Sequence, residues 1–484
     1  MNRRIGLAAV LCLAGLCFIP NPVFPQELDV EYETAKKGEK AEKKKASDAK
    51  IVVTGTMSKK LEKTSPVKTE VVDRDRIDAK GATTLYEALN NELGLLIENN
   101  CQNCEMNAVR LNGLDGRYTQ ILFNGLPTVS SLAGVYLLQQ IPAEMIERVE
   151  VVRGGGSALY GSGAIGGVIN VIQRKPKRNG GSVEARYDLT AGNVLGKKDY
   201  AHKHTVSGTV SAVSDSGKAG IALWGSKSDR GAWDANGDGY SDLSEQLNKS
   251  MGGRAFFALM SGMELSFAGS TLYEQRRGGN ELKKEPFDPA VNIAEGVTVN
   301  RDTGEVRLDQ EVSSHFNYTL FYGYAGTKRH SYYGPAGNDV LSEDVNLYGR
   351  TENPYHVGGL VMNIIPVKGH TLTLGVEHFD DRLKDHNPGM NRELNAHYKN
   401  TGLYGQYDWD TAYLDLLLGV RADRHNELNE WNYSPRISGI IKFNPHLRWR
   451  NTVATGFKAP QVFDEDFHIE VSLSGSGTAN HLIV

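Results

Sequence analysis

Three short stretches of this chain carry residue types at spacings that chemistry could use. In Asp234-Ala235-Asn236-Gly237-Asp238-Gly239-Tyr240-Ser241-Asp242-Leu243-Ser244-Glu245, oxygen donors fall at positions 1, 3, 5, 7, 9 and 12, with glycine at 6. That is the spacing by which a tight loop wraps Ca²⁺. Asp234, Asn236, Asp238 and Asp242 would bind directly or through water, Tyr240 through its carbonyl, and Glu245 through both carboxylate oxygens. No helix precedes the loop, so a paired EF-hand is not expected, and a structural Ca²⁺ would serve to order the loop. The same residues also suit an acidic, turn-rich surface loop. The second stretch, Cys101-Gln102-Asn103-Cys104, has three readings. An exported chain matures where such a pair forms a disulfide. A redox pair would want a thioredoxin-like context, which is missing. A copper or zinc site needs more than two thiolates, and Met106 is one further soft donor. The third, Gly161-Ser162-Gly163-Ala164-Ile165-Gly166, matches the dinucleotide pattern G-x-G-x-x-G. That pattern needs a helix opening at the second glycine and an acidic residue about 20 positions on. Here Val168–Ile172 reads as a strand and 174–178 is basic, so dinucleotide binding is not expected.

All 13 histidines lie beyond residue 200. His330 with Tyr332 and Tyr333, and His386 with His397, fall in stretches read as long loops, where a small ligand could be met. No Ser/His/Asp or paired-carboxylate arrangement stands out, so catalysis and a required cofactor are not expected. The formal charge of −4 gives no electrostatic argument for a nucleic-acid partner.

The elements that would position these residues fall into four parts. Residues 1–26 read as a secretory signal, with Arg3 and Arg4 before an apolar run from Ile5 to Ile19 that is short for a spanning helix. Residues 27–50 are a polar, Lys-rich linker. Residues 51–178 read as a small α+β domain. It has extended segments at Thr69–Asp73, Val109–Leu111, Thr119–Phe123 and Val149–Val152, a helix from Asp78 to Glu98 ending near Gly94, and a helical turn at 142–147. Residues 179–484 change to long strands of period 2. From Tyr413 to Asp423, Leu414, Leu416, Leu418, Val420 and Ala422 face one way. Tyr413, Asp415, Gly419, Arg421 and Asp423 face the other, with Leu417 the exception. Buried charge on that second face would be costly in a sandwich core. In a membrane barrel it lines a wet lumen while the apolar face meets lipid. Short turns near 215–218, 261–263, 367–369, 410–412 and 444–446 alternate with long polar loops near 230–250, 276–312, 330–354 and 385–400, again the barrel pattern.

Between these two regions, Arg148 to Ile172 places two β-branched strands around Arg153 and seven glycines, Gly154, Gly155, Gly156, Gly161, Gly163, Gly166 and Gly167. Glycine at that density is costly to order, and is kept where backbone must pass close to backbone or turn tightly. This stretch resembles the plug signature of TonB-dependent outer-membrane receptors. Ile51–Thr56 resembles that family's first strand. Val109–Leu114 and Gln120–Pro127 resemble its central plug strands, and Ile141–Gly154 with Ser157–Asn170 its second half. Gly456-Phe457-Lys458-Ala459-Pro460 is similar to a Phe-Arg-Ala-Pro box of haem and related receptors, with Lys for Arg.

The resemblance implies a mainly β fold, a transmembrane β-barrel with an N-terminal α+β plug, in the outer membrane of a diderm bacterium. It implies a monomer that imports a scarce metal chelate, siderophore or haem first and cobalamin or copper as alternatives. The implied partners are outer-membrane lipid and the inner-membrane TonB complex, which would pull on a box within Glu27–Thr34 or Lys50–Gly55. The glycines would then be a plug hinge. Roughly 12 strands are legible against the roughly 22 of plugged transporters, so the expectation is an apparently truncated barrel. A partial barrel would leave sheet edges in lipid, and a non-transporting fragment or a surface adhesin is the corresponding alternative.

Overall fold

The computed structural model describes residues 50–99, 107–127, 130, 132, 134, 136–194, 197–286, 288, 290–334, 348–388, 392–444, 447–461, 470–471 and 480–481. Cys101, Cys104, Met106 and the segment 1–49 lie outside the described residues, as does the side chain of Tyr333.

The first domain is built on a four-stranded sheet. Its order is β3 (Thr69–Asp73), β7 (Ile146–Arg153), β8 (Gly167–Gln173) and β6 (Thr119–Phe123), antiparallel except for β6 with β8. Two small ladders flank it, β1 (Ile51–Val52) with β2 (Lys60–Leu61) and β4 (Leu95–Asn99) with β5 (Asn107–Leu111). β7 and β8 are central and covered on both faces, which is why Val149–Val152 and Val168–Val171 run without a clean polar alternation. The apolar core gathers Ile77, Leu85, Leu89, Leu111, Leu137, Ile146, Val149 and Ile169.

The helix expected from Asp78 to Glu98 is two short helices instead, Arg74–Ala79 and Leu85–Leu89, followed by β4. Local chemistry divides it. Gly81 and Gly94 sit at φ +59° and +65° and Asn91 at +60°. Thr84 caps the second helix by accepting from the Glu87 amide at 3.3 Å, while the Glu87 carboxylate accepts from the Thr83 amide at 2.7 Å. The Thr-x-x-Glu start signal was present in the sequence.

The second domain is one antiparallel sheet of 13 strands in chain order. They are β9 (Gly180–Val194), β10 (Lys197–Val213), β11 (Ala219–Arg230), β12 (Glu245–Met260), β13 (Met263–Gly279), β14 (Ala294–Ser313), β15 (Phe316–Gly334), β16 (Tyr348–Ile364), β17 (His370–Asn387), β18 (Arg392–Asp410), β19 (Leu414–His425), β20 (Asn432–Lys442) and β21 (Arg448–Ala454). The turns at one end are short, as expected, with one more at Ser314-His315. Of the expected long loops, 231–244 does connect β11 to β12, 335–347 lies outside the described residues, and those near 276–312 and 385–400 are largely strand. β13 continues to Gly279 and β14 starts at Ala294, and β17 and β18 run through most of 385–400. Ladder hydrogen bonds continue whether the outward side chains are apolar or polar, so loss of alternation in hydropathy there marked the edge of the apolar belt rather than the end of a strand.

The two faces of this sheet separate cleanly. On β19, Asp415, Leu417, Arg421 and Asp423 are buried inward, while Leu418 and Val420 are 41% and 48% exposed on the outer face. Leu417 packs with Leu122, Val152 and Leu159 of the first domain. The exception to the polar alternation is therefore an apolar contact to what fills the lumen. No helix among the described residues is long and apolar enough to cross a membrane; the strands provide the lipid-facing surface.

Candidate functional site

The glycine stretch forms the connection from β7 to β8 and is pressed against the inner wall of the sheet. Gly154, Gly161, Gly163 and Gly167 adopt φ of +89°, +71°, +86° and +153°. Others are required by close approach: a Cβ on Gly155 would lie 2.5 Å from the Ala454 Cβ of β21. Between them Ser157–Tyr160 makes one helical turn, which sequence reasoning missed because glycine-rich flanks argue against a helix. The stretch docks on the Gly456–Pro460 segment. The Gly163 amide donates to the Phe457 carbonyl at 3.1 Å, and the Ala459 amide donates to Ser162 Oγ at 2.8 Å. Two motifs read separately in the sequence are thus one contact. Arg153 is directed away from the turn, donating to Glu70 Oε2 at 2.6 Å and to the Gly94 carbonyl at 3.1 Å.

Gly167 gives a direct test. A methyl there would lie 2.7 Å from Leu111 Cδ1 and collide with the Val152 carbonyl, at a φ that L residues avoid. Gly154 shares a positive φ but faces open space. We expect Gly167→Ala to cost about 3–5 kcal/mol by overpacking and strain together, and Gly154→Ala only about 1–2 kcal/mol. Unfolding midpoints of the plug would check this, and equal shifts would sink the close-approach argument.

Below the glycine turn, two arginines of the wall reach into the first domain. Arg421 is 1% exposed. Its Nε donates to both Asp423 carboxylate oxygens at 2.9 and 3.0 Å, Nη2 to Glu377 at 3.0 Å, and Nη1 to the Leu159 carbonyl at 2.7 Å. A buried cation is thereby neutralised by two wall carboxylates and turned into a grip on the plug backbone. Arg436 Nη2 donates to the Gly55 carbonyl at 3.2 Å, and Gln406 Nε2 to the Thr56 carbonyl at 3.0 Å.

The same short segment is held from the plug side by Glu150, which is fully buried. Its Oε2 accepts from the Val53 and Thr54 amides, each at 3.0 Å, and from Thr54 Oγ1 at 2.6 Å. Its Oε1 accepts from Arg148 Nε at 2.9 Å and Nη2 at 2.7 Å. Asn170 Nδ2 donates to Thr54 Oγ1, and the Tyr160 hydroxyl to the Thr54 carbonyl, both at 2.9 Å. Burial pushes the Tyr160 pKa well up, so it stays a donor. Residues 53–56 are therefore clamped between β7, β8 and the wall strands β18 and β20. Sequence reasoning missed Glu150 and Arg436. The available signal was a lone carboxylate inside Val-Glu-Val-Val, a position where burial demands partners.

Farther round the wall, Lys203 Nζ meets Glu87 Oε1 at 2.6 Å and Thr83 Oγ1 at 3.0 Å. Burial pushes the Glu87 carboxyl up, but Lys203 and the bonds from Thr83 outweigh it and hold it below its ordinary value. Lys203, Glu87, Asn248 and Gln140 line a cleft of about 220 Å³ between plug and wall.

The other predicted residues lie elsewhere. The 234–245 loop closes on itself. Asp234 accepts from the amides of Gly237 at 2.6 Å and Gly239 at 2.8 Å, Asp238 from Tyr240 at 2.9 Å, and Asp242 from Ala235 at 2.7 Å. Asn236 donates to Asp238, and Glu245 begins β12. Among the described residues no three His, Cys, Asp or Glu side chains are grouped to hold a metal ion. His330, His386 and His397 sit on β15, β17 and β18 rather than in loops, at outward positions of the sheet. His397 Nε2 lies 3.0 Å from Asp380, and His386 3.6 Å from Glu393. Tyr332 is buried against Tyr348, ring centroids 5.1 Å apart. The lumen-facing alternates on these strands are instead Arg329, Asp381, Asp385 and Asn400.

A sheet with a lipid-facing outer surface and a polar inner wall gripping a small α+β domain defines a plugged outer-membrane β-barrel. The chain belongs to the TonB-dependent receptor family. Residues 62–168 match the TonB-dependent receptor plug domain, and residues 179–480 the TonB-dependent receptor-like β-barrel. It is 25% identical over 427 residues to the iron-regulated outer membrane virulence protein of Vibrio cholerae, covering 86% of this chain and 61% of that one. It is 30% identical over 181 residues to the vitamin B12 transporter BtuB of the same species, covering 37% of this chain and 28% of that one. Among solved structures, the siderophore receptor PirA from Acinetobacter baumannii superposes with a TM-score of 0.66 at 19% identity, over 81% of this chain and 61% of that one. A ferric enterobactin receptor (PfeA) mutant from Pseudomonas aeruginosa gives 0.69 at 17%, over 82% and 63%. The chain spans about three fifths of the length of the curated relative matched over most of it.

Proposed function

We propose that this protein takes up a scarce metal chelate, an iron siderophore or haem first, across the outer membrane, driven by the TonB complex. The observation that carries the reading is the two-sided clamp on residues 53–56. It stands where the chain enters the plug, and it joins the plug strands to the wall through a few polar contacts. A pull on the preceding segment would reach Glu150, and then β7 and the glycine turn, before it reached the apolar core. Of the two TonB-box candidates, Lys50–Gly55 runs into this clamp at Val53–Gly55, with Val52 and Thr54 buried. Pairing of that segment with another protein's strand would require the Glu150 bonds to break.

The iron reading is supported by the match over most of the chain to an iron-regulated protein. Cobalamin is the second reading, supported by the higher identity to a vitamin B12 transporter over a shorter span. A deletion strain grown with siderophore iron, haem, cobalamin or copper as the limiting source separates them. We expect a growth defect on siderophore iron or haem, restored by the wild-type chain. Normal growth on all four sources would overturn nutrient import.

A further inference from the structure

The cleft between the helix Leu85–Leu89, the helical turn Leu137–Gln140 and the wall strands β10–β12 holds buried polar groups that the fold itself leaves unused. Gln140 is 4% exposed, and among the described residues neither its Nε2 nor its Oε1 has a partner. Asn248, inward on β12 and 8% exposed, leaves Nδ2 unpaired. Both line the same cavity of about 220 Å³. Adjacent amides are used by the fold: Gln139 Oε1 accepts from Arg276 Nη2 at 2.6 Å, and Gln246 Nε2 donates to Glu274 at 3.0 Å. A smaller cavity of about 60 Å³ shares Gln140 and Pro142 with the first, and on its wall Ser250 Oγ is unpaired as well. A buried amide without partners is costly, so this space suits matter that forms hydrogen bonds.

The lining narrows what that matter is. Its two cations are already engaged, Lys203 by Glu87 at 2.6 Å and Thr83 at 3.0 Å, and Arg230 by the Ser244 carbonyl at 2.8 Å. An anion would therefore find no free counter-charge. Tyr86, Pro142 and Leu243 add apolar surface to the same cavity. About seven waters would fit, at about 30 Å³ each, but water gains nothing from apolar walls. A pyranose ring gains from both kinds of surface, with hydroxyls for the amides and C–H faces for the aromatic and the proline. Gln140 offers a donor and an acceptor side by side, the complement of two adjacent hydroxyls. Leu243 belongs to the 231–244 connection, so the cavity lies at the long-loop end of the wall.

We propose that this cavity is a binding site for a neutral sugar unit, free or as the uncharged part of a larger cargo. Gln140 and Asn248 hold adjacent hydroxyls, and Tyr86 and Pro142 carry the ring.

The test reads binding rather than uptake, so a negative result leaves the import reading standing. The full chain, in a detergent without a sugar headgroup, is titrated calorimetrically with the methyl α-glycosides of glucose, galactose and mannose. A second series uses a ferric catecholate chelate with and without a glycosyl group. Heat-modifiable migration on a gel reports the folded barrel of each variant. The wild-type chain should bind one of the free glycosides, or the glycosylated chelate more tightly than the bare one. The first result makes the ligand a free sugar, the second an attached one. Gln140→Leu/Asn248→Leu should weaken that binding about tenfold or more, and Ser226→Phe, which fills the cavity from the wall, should abolish it. Folded wild-type protein that binds no free glycoside and does not distinguish the two chelates overturns the proposal. So does a folded double variant, or a folded Ser226→Phe protein, with wild-type affinity.

Discussion

Arg421→Ala is expected to be among the most damaging single substitutions in the wall, at about 3–5 kcal/mol. The reason is what it leaves behind. Glu377 and Asp423 are almost fully buried and both face Arg421. Without the guanidinium, two carboxylates share a site with no counter-charge, and the Leu159 carbonyl loses its donor. Arg421→Lys should recover little of this, since an ammonium cannot serve two carboxylate oxygens, a second carboxylate and a carbonyl from one planar fork. Replacing all three by neutral isosteres, Arg421→Met with Glu377→Gln and Asp423→Asn, should be milder than Arg421→Ala alone, because removing every charge avoids the unpaired pair. Thermal unfolding of the four proteins measures this ordering. If Arg421→Ala unfolds with the wild-type midpoint, the cluster does not secure the plug.

Glu150→Ala should act on a different link, the entry of the chain into the plug. It removes the acceptor for the Val53 and Thr54 amides and for the Thr54 hydroxyl. A buried donor left without a partner costs about 1–3 kcal/mol, so the loss should reach about 3–5 kcal/mol for the segment. The wall contacts from Arg436 and Gln406 remain, so the expected result is local opening rather than collapse of the plug. In hydrogen exchange, the Val53 and Thr54 amides should exchange about a hundredfold faster or more, at 1.4 kcal/mol per tenfold, while amides of β7 and β8 on the core side keep their protection. Unaltered exchange at Val53 and Thr54 would remove the clamp from the proposed route of force. Uniform loss of protection would show that Glu150 supports the whole plug rather than its entry.

These two residues also show how far the sequence could be read. Arg421 was visible as an inward position of an alternating strand, because period 2 forces Asp415, Arg421 and Asp423 onto one face and Leu418 and Val420 onto the other. Its partner across the sheet, Glu377, and its grip on Leu159 were not visible, since a ladder register and a docked domain relate residues that no local pattern links. Histidines at 330, 386 and 397 were read as loop residues, because polar stretches between strands usually are loops. The register put them on the outward side of continuing strands, which changed the chemistry they can meet. The Asp234–Glu245 spacing was legible as an oxygen-rich turn, but whether its carboxylates point to one centre or cap their own loop depends on backbone torsions that composition does not fix.

By itself the sequence determined the division into a small α+β domain and a long-stranded barrel region, the two-faced strands and the need for glycine at the β7–β8 turn. Each of these follows from local rules: hydropathy period, the short turns, and the steric permissiveness of glycine. The tertiary structure alone decided which glycines are irreplaceable, that Leu417 faces a plug rather than lipid, and that Glu150, Arg421 and Arg436 hold the plug and its entry segment to the wall. Those depend on distances between residues up to several hundred positions apart. Burial turns such distances into free energy, because a charge or amide removed from water must find its partner wherever the fold has placed it.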